Sequence, residues 1–383
     1  MKLSTDRILT THVGSMPRSD EVSDMLLAKE RGELDDLAAF DDVMHKAVLD
    51  VVQKQVEAGV DIVSDGEMSK IGYATYIKDR LTGFEGDSPR RVPADLALYP
   101  AYVQKIASHG ETPKIQRPQC VGEISIKDAA PLEKDIANLT EAVATSGATE
   151  GFMNAASPGV ISVFQPNAFY PSEDAYLEKL AEIMAEEYEA IVGAGLVIQL
   201  DCPDLAMGRH TQFTDLSDDE FVKCAARQVE ALNAALANVP AEQTRMHICW
   251  GNYEGPHVCD IPVQKIFDVV MGAKPQVVSF EASNPRHSHE WQVWREFKDR
   301  IPDNKVLMPG VIDSVSNFIE HPELVAERIG RFTDIVGRER VIAGSDCGFA
   351  TFAGYGKIDP DIAFAKLKTL SEGAALASER LWG

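Results

Sequence analysis

The stretch SEDAYLEKLAEIMAEEYEAIVGAGLVIQLD, residues 172–201, joins an amphipathic helix to a buried strand and shows the unit from which this chain is built. Apolar residues recur at helical spacing over 172–194, and a short apolar run follows at 196–200. The same alternation extends along most of the 383 residues. It indicates a parallel sheet whose strands are connected by helices.

Nine short apolar runs are candidate strands, one more than a closed eight-stranded barrel needs. They lie at 7–14, 60–64, 119–124, 151–155, 196–200, 245–249, 276–280, 305–311 and 340–343, and helical patterns cover 40–58, 172–194, 217–237 and 323–336. This pattern predicts an α/β protein with one (β/α)8 TIM barrel over residues 1–383. Because the run at 119–124 lies in a segment of poor periodicity, we place it outside the barrel. It belongs to an insertion predicted over 85–130, near the barrel mouth.

Composition and charge exclude several classes of function. The net charge of −23 disfavours binding to nucleic acids and to anionic membranes. No apolar run is long enough to span a bilayer, and the N-terminus lacks the apolar core of a signal peptide. The six cysteines do not have the spacing of a disulfide framework. We therefore expect a cytoplasmic protein that acts on small molecules.

Polar side chains follow the predicted strands at the ends where barrel enzymes hold their active sites. Buried carboxylates in such places need partners or a function. This ring of polar residues predicts an active site at the barrel mouth. Its members are His12, Ser15, Asp65, Glu67, Asp201, His247, Cys249, Glu281, Asp313, Asp346 and Cys347.

Four members of the ring, His247, Cys249, Glu281 and Cys347, form a ligand set suited to zinc. Residues i and i+2 of a strand point to the same side, so His247 and Cys249 can bind one ion. Two thiolates and a carboxylate outweigh the charge of Zn²⁺, which makes the site poor at activating water. The site suits an incoming thiol, held as an electron-rich thiolate, and so favours thiol alkylation.

The chain resembles the catalytic barrel of cobalamin-independent methionine synthase, as a short member limited to the core. The resemblance implies a (β/α)8 barrel that transfers a methyl group to homocysteine. It implies zinc on His247, Cys249, Glu281 and Cys347. It also implies that Ser15, Glu67 and Asp201 orient the amino acid, the two carboxylates by binding its ammonium group. The motifs are Thr10-Thr-His-Val-Gly-Ser-Met-Pro17, Asp61-Ile-Val-Ser-Asp-Gly-Glu67, Ile198-Gln-Leu-Asp-Cys-Pro203, His247-Ile-Cys249, Ser279-Phe-Glu-Ala-Ser283, Gly310-Val-Ile-Asp313 and Ser345-Asp-Cys-Gly-Phe-Ala-Thr351.

One departure from the family concerns the methyl donor. In the family an Asp-x-His-Ser element supplies a proton to the methylfolate leaving group, whereas Val315 stands here where the histidine is expected. A 5-methyltetrahydrofolate donor would then need another acid, and His12, Asp313 and Tyr253 are the candidates. Asp313 is expected near the donor in any case. A corrinoid donor such as methylcobalamin would leave without a proton.

Two further functions stay open. Epoxyalkane:coenzyme M transferase, a short relative of the family, opens epoxides with a zinc thiolate. Its acceptor carries a sulfonate, which basic residues such as Arg18, Arg209 and Arg286 would bind. A function of another class is that of a metal-free decarboxylase-like barrel, because the chain also resembles uroporphyrinogen decarboxylase-type folds and a fold does not fix function. Bound zinc distinguishes this class from the alkyltransferases.

Overall fold

The computed structural model describes residues 1–89, 91–107, 115–354, 356 and 358–383. The strands in these ranges are β1 (Leu9–Thr10), β2 (Ile62–Ser64), β3 (Phe84–Glu85), β4 (Gln119–Cys120), β5 (Glu150–Ala156), β6 (Val197–Asp201), β7 (Thr244–His247), β8 (Val277–Phe280), β9 (Val306–Ile312) and β10 (Ile342–Ser345).

Helices lie between most of the strands and surround the sheet. They are α1 (Asp20–Glu30), α2 (Leu37–Glu57), α3 (Ile77–Arg80), α4 (Ala94–Ala97), α5 (Pro100–Ala107), α6 (Ala130–Ser146), α7 (Pro158–Phe164), α8 (Glu173–Gly193), α9 (Gly208–Thr211), α10 (Asp218–Ala235), α11 (Val263–Met271), α12 (Trp291–Glu296), α13 (Pro322–Val336) and α14 (Pro360–Trp382). Short 3₁₀ helices span Pro203–Leu205, Ala241–Gln243, Lys298–Arg300 and Arg338–Arg340.

Eight parallel strands form one sheet in the order β1-β10-β9-β8-β7-β6-β5-β2. The two ends of this order also meet, because Asp61 N donates to Thr10 O at 3.2 Å and Thr11 Oγ1 donates to Ile62 O at 2.8 Å. The sheet is therefore a nearly closed barrel with helices around it. The predicted (β/α)8 fold is confirmed, and β1 is shorter than the run predicted at 7–14.

The run predicted to lie outside the barrel does so. Its strand β4 pairs antiparallel with β3, and this small sheet is separate from the eight-stranded one. Helices α4 and α5 lie between these two strands in the chain. They fall in the insertion predicted at 85–130, of which residues 90 and 108–114 lie outside the described residues.

Side-chain alternation along the strands fills the barrel interior in layers. Apolar side chains from seven strands form a cluster separate from the main core: Leu9, Ile62, Phe152, Val197, Val277, Val306, Met308 and Ile342. Gln199 and Asp201 follow Val197 on β6 by two and four residues, and β7 ends in His247. The polar residues at the ends of these strands therefore lie at the mouth of the barrel.

Helix α8 shows why the amphipathic segments form helices at the predicted positions. Ser172 caps its N-terminus, since the Ser172 side chain accepts a hydrogen bond from Ala175 N at 3.1 Å. Tyr176, Leu180 and Met184, spaced four residues apart, are buried against the sheet. In the described parts of the chain, no helix combines the length and the apolar character needed to cross a membrane.

Candidate active site

His247, Cys249 and Cys347 come together in the mouth of the barrel. One ligand atom from each lies within 4.8 Å of the others, and the two sulfur atoms are 3.7 Å apart. All three side chains are buried. His247 ends β7, Cys249 follows it by two residues, and Cys347 follows β10. Two strand ends thus supply one imidazole and two thiols to a single point.

The imidazole of His247 is held in the form that binds metal ions. Its Nδ1 lies 3.1 Å from Ser279 Oγ, whereas its buried Nε2 has no hydrogen-bond partner in the described chain. Burial, together with the nearby Arg245 charge, lowers its pKa to about 3, so the ring is neutral. A neutral, oriented imidazole with one free nitrogen fits a metal ligand.

Glu281 lies beside this group without joining it. Its carboxylate accepts hydrogen bonds from Trp250 N at 2.8 Å and from Asn284 Nδ2 at 2.6 Å. Burial raises its pKa well above the usual value, and the charge of Cys249 raises it further. Of the four residues predicted to bind zinc, the structure therefore brings three together and keeps Glu281 adjacent to Cys249.

Two buried thiols ionise only if a nearby positive charge stabilises the thiolates. The hydrogen bond between the two cysteines, and then burial, raise the pKa of Cys249 well above its usual value. Among the described residues, the backbone donor to Cys249 is Gly251 N, at 3.2 Å from the sulfur. A divalent cation would supply the missing charge, and one nitrogen with two sulfurs is a donor set typical of zinc. The residues present fit such an ion.

A cavity of about 240 Å³ opens beside these three candidate metal ligands. Ser15, Glu67 and Asp201, the residues predicted to orient the substrate, all line it. Aromatic side chains form another part of its wall: Tyr73, Phe164, Tyr253 and Phe352. The structure therefore places the predicted substrate-binding residues and the three candidate metal ligands in one cavity.

The carboxyl groups of Glu67 and Asp201 repel each other in this cavity. Burial, and then the charge of Asp201, raise the pKa of Glu67 to about 8, and Glu67 Oε2 has no hydrogen-bond partner among the residues that the structure describes. Burial raises the pKa of Asp201 to about 6. Glu67 also has a left-handed backbone, with φ of 57°, which is rare outside glycine and is often found at functional sites. A bound cation would relieve the repulsion between the two groups.

Two polar residues that the sequence reading missed hold Asp201 in place. Asn154 Nδ2 lies 3.2 and 3.0 Å from the two Asp201 oxygens, and Gln199 Nε2 donates to Oδ1 at 2.9 Å. Asn154 Nδ2 also contacts Val13 O at 2.9 Å, which ties the strand end to the loop that carries Ser15. Each is a polar residue inside a largely apolar strand. That pattern in the sequence could have identified both as candidate site residues.

His12 and Asp313, the residues predicted as catalytic, are not among the residues that line the cavity. His12 Nε2 lies 2.7 Å from Gln55 Oε1, and its Nδ1 accepts from Gly14 N at 3.1 Å. Burial lowers the pKa of His12 to about 4. Asp313 Oδ1 accepts from Val315 N at 3.1 Å. In this structure both groups stabilise local backbone, and their catalytic roles stay predictions.

Comparison with known proteins agrees with this architecture. The family model for the catalytic domain of cobalamin-independent synthases matches residues 8–95 and 168–359. The methionine synthase of Saccharolobus solfataricus is 26% identical over 378 residues, which cover 97% of this chain and 95% of that protein. The methionine synthase of Sulfurisphaera tokodaii is 24% identical over 380 residues, covering 97% and 93%.

Solved structures show the same fold. A B12-independent methionine synthase from Shewanella sp. W3-18-1, in complex with selenomethionine, superposes with a TM-score of 0.73 at 20% identity, covering 98% of this chain and 99% of that one. A putative vitamin-B12-independent methionine synthase from Listeria monocytogenes gives a TM-score of 0.65 at 17% identity, with 98% and 99% coverage. Since the family model matches more than half of the residues, this chain belongs to the cobalamin-independent methionine synthase family.

Proposed function

We propose that this protein is a zinc-dependent methyltransferase that converts homocysteine to methionine. The observation that carries the proposal is the single cavity that contains both the His247, Cys249 and Cys347 group and the carboxyl pair of Glu67 and Asp201. The first group would hold a thiolate through a metal ion, and the pair would hold an ammonium group. Homocysteine carries both functional groups, and its family relatives are called methionine synthases.

The charge of the cavity favours an amino-acid thiol over a sulfonate thiol. None of the described residues that line it is arginine or lysine. Arg18 donates to the backbone oxygens of Ala350 and Glu67 at 2.8 and 2.7 Å, and Arg209 pairs with Asp218 at 2.9 Å. Arg286 is exposed. These contacts argue against the epoxyalkane:coenzyme M transferase alternative, whose acceptor carries a sulfonate.

The arrangement also argues against a metal-free barrel. In a metal-free decarboxylase, a buried His247 Nε2 without a hydrogen-bond partner in the described chain, next to two buried thiols, would have no function. Buried polar atoms without partners cost free energy, on the order of 1–3 kcal/mol each. A bound ion would satisfy that nitrogen, so the metal-dependent function explains the site better.

The chain's residues would divide the reaction between them. When zinc is bound, it lowers the pKa of the acceptor thiol and so makes the sulfur nucleophilic at neutral pH. Glu67 and Asp201 bind the acceptor's ammonium, and Ser15 together with the neighbouring backbone receives its carboxylate. The aromatic wall of Tyr73, Phe164, Tyr253 and Phe352 excludes water from the sulfur. The acceptor is thereby held for attack on the donor's methyl carbon.

Two methyl donors suit this acceptor site. From 5-methyltetrahydrofolate the leaving group is a basic amine that needs a proton, whereas the corrinoid of methylcobalamin leaves without one. The two donors therefore make different demands on the cavity.

A donor-by-acceptor matrix tests the proposal. The purified, zinc-loaded protein is assayed with 5-methyltetrahydrofolate, methylcobalamin and a small epoxide, each against homocysteine and coenzyme M. We expect methionine from homocysteine with at least one methyl donor, and no product from coenzyme M. The Cys347→Ser variant is the matched inactive control. Product from coenzyme M and the epoxide alone, or activity in protein free of zinc, would contradict the proposal.

A further inference from the structure

Two loops pair at the wall of the cavity, and the Tyr73 ring packs between Phe164 and Phe352. Gly72 forms an antiparallel bridge with Phe352, and Ala353 N donates to Ile71 O at 3.0 Å. The Tyr73 ring packs edge to face on Phe164 at 5.4 Å and lies tilted against Phe352 at 5.6 Å. A Cβ at Gly72 would lie 2.5 Å from the Phe352 ring, so the close approach of the loops depends on this glycine. These contacts fix the position of the Tyr73 ring in the wall of the cavity.

The hydroxyl of Tyr73 differs from those of three other tyrosines of the barrel. Tyr76 donates to Glu187 at 2.7 Å, Tyr188 donates to Ala156 O at 2.6 Å, and Tyr253 donates to Asp95 at 2.6 Å. Within the described chain, the Tyr73 hydroxyl has no hydrogen-bond partner.

Tyr73 lines the same cavity as Cys249, Cys347 and Asp201. Burial raises the pKa of Tyr73, and the charges that act on it next are those of Cys249, Cys347 and Asp201, in that order. The phenol therefore borders the space in which the acceptor sulfur would be held.

The other candidate acids are engaged elsewhere. His12 and Asp313 do not line the cavity, and Val315 takes the place of the family's histidine. Tyr253 does line it, but its hydroxyl is held by the Asp95 carboxylate. Of the two tyrosines that line the cavity among the described residues, Tyr73 is the one whose hydroxyl is not held by a carboxylate.

We propose that Tyr73 is a catalytic residue that protonates the leaving amine of a reduced-pterin methyl donor. This inference rests on the proposed function. The homocysteine sulfur attacks the methyl carbon, the S–C bond forms and the C–N bond breaks, and the electron pair stays on nitrogen. That nitrogen takes the Tyr73 hydroxyl proton, and the phenolate recovers a proton from solvent. The proton lost by the acceptor thiol balances the reaction.

The Tyr73→Phe variant tests the role because it keeps the ring and removes only the hydroxyl. With 5-methyltetrahydrofolate and homocysteine we expect kcat to fall by about 10²- to 10⁴-fold, the usual range for general acid catalysis. The KM for homocysteine and the zinc content should stay at wild-type values. Methyl iodide, whose leaving group takes no proton, should methylate homocysteine at the same enzyme-dependent rate in both proteins. Tyr99→Phe, on the exposed surface, is the matched control.

The outcomes separate this inference from the function on which it rests. If wild-type protein methylates homocysteine from 5-methyltetrahydrofolate and Tyr73→Phe is equally fast, Tyr73 is not the acid. The inference also fails if the wild type uses methylcobalamin and not the folate, or if Tyr73→Phe slows methyl iodide and folate reactions alike. If the wild type does not accelerate methylation of homocysteine by any donor, methyl iodide included, the proposed function itself fails.

Discussion

The sulfur atoms of Cys249 and Cys347 lie 3.7 Å apart, although 98 residues separate the two cysteines in the chain. Strands β8 and β9 stand between β7 and β10 in the sheet, so the two sulfurs meet across the barrel mouth. The site therefore depends on closure of the whole barrel and cannot form within one strand–helix unit.

Replacing either sulfur should remove the metal ion and the activity together. In Cys249→Ser or Cys347→Ser, a hydroxyl replaces a thiolate and the site loses a negative ligand. We expect zinc content to fall from about one ion per chain to a small fraction of that after dialysis. Elemental analysis of the purified variants measures it. Cys224→Ser, in α10, is the control, and stoichiometric zinc in either site variant would refute the assignment.

Asp346 should control metal affinity without contacting the ion. Its carboxylate accepts hydrogen bonds from the backbone N–H groups of residues 282–284 at 2.8–2.9 Å. These bonds fix the loop that follows Glu281 next to Cys347, the residue after Asp346. In Asp346→Asn, one oxygen becomes a donor that faces backbone N–H groups. We expect zinc affinity, measured by chelator competition, to fall by about 10- to 100-fold. Asp334→Asn, on the surface, should leave it unchanged, and an unchanged affinity in Asp346→Asn would contradict this role.

Arg245 should contribute to stability and not directly to the chemistry. It is fully buried, its guanidinium donates to Gln199 Oε1 at 2.7 Å and His12 O at 2.6 Å, and it lies 3.4 Å from the centre of the Phe152 ring. Arg245→Met leaves these acceptors unsatisfied, which should lower the free energy of unfolding by about 3 kcal/mol or more. A lower urea midpoint would show it.

The matched control for Arg245→Met is Lys46→Met, because Lys46 forms an exposed i,i+4 pair with Asp42. This variant should unfold at the wild-type urea midpoint. If the two variants unfold at the same midpoint, the buried guanidinium is not a stabilising centre of the barrel.

The barrel and the centre of its site follow from local patterns in the sequence. Alternating strand and helix periodicity is a property of each segment, so the eight strands could be predicted without knowing how they pair. The i, i+2 spacing of His247 and Cys249 places both on one side of β7 for the same reason. The ends of parallel strands share one face of the barrel, which brings Cys347 to them.

The remaining features depend on register and loop paths, which periodicity does not encode. Glu281 directly follows β8, but its hydrogen bonds to Trp250 N and Asn284 Nδ2 keep it beside the other three candidate metal ligands. Tyr73 reaches the cavity because two distant loops pair at Gly72 and Phe352. Such contacts arise from tertiary packing, and a single sequence gives no pattern for them.

The last prediction concerns how pH controls binding of the acceptor's ammonium group. The pKa of Glu67 is raised to about 8 and that of Asp201 to about 6, and both groups must be ionised to attract a cation. Because these pKa values are raised, the two carboxyl groups of the free protein lose their protons only as pH increases through about 6 and about 8. The affinity for an ammonium ligand should therefore rise as pH increases from 6 to 8. Methionine, which has the ammonium but no thiol, is the ligand to titrate by calorimetry.

Glu67→Gln should remove the part of this rise that occurs near pH 8 and weaken methionine binding above that pH by about 10- to 100-fold, the cost of one charge-assisted hydrogen bond. The desamino analogue of methionine is the matched ligand control, because its binding should not weaken in the variant. Glu141→Gln, at an exposed position of α6, controls for loss of a carboxylate elsewhere. Methionine binding that is independent of pH, or that is as tight in Glu67→Gln as in the wild type, would show that the carboxyl pair does not bind the ammonium.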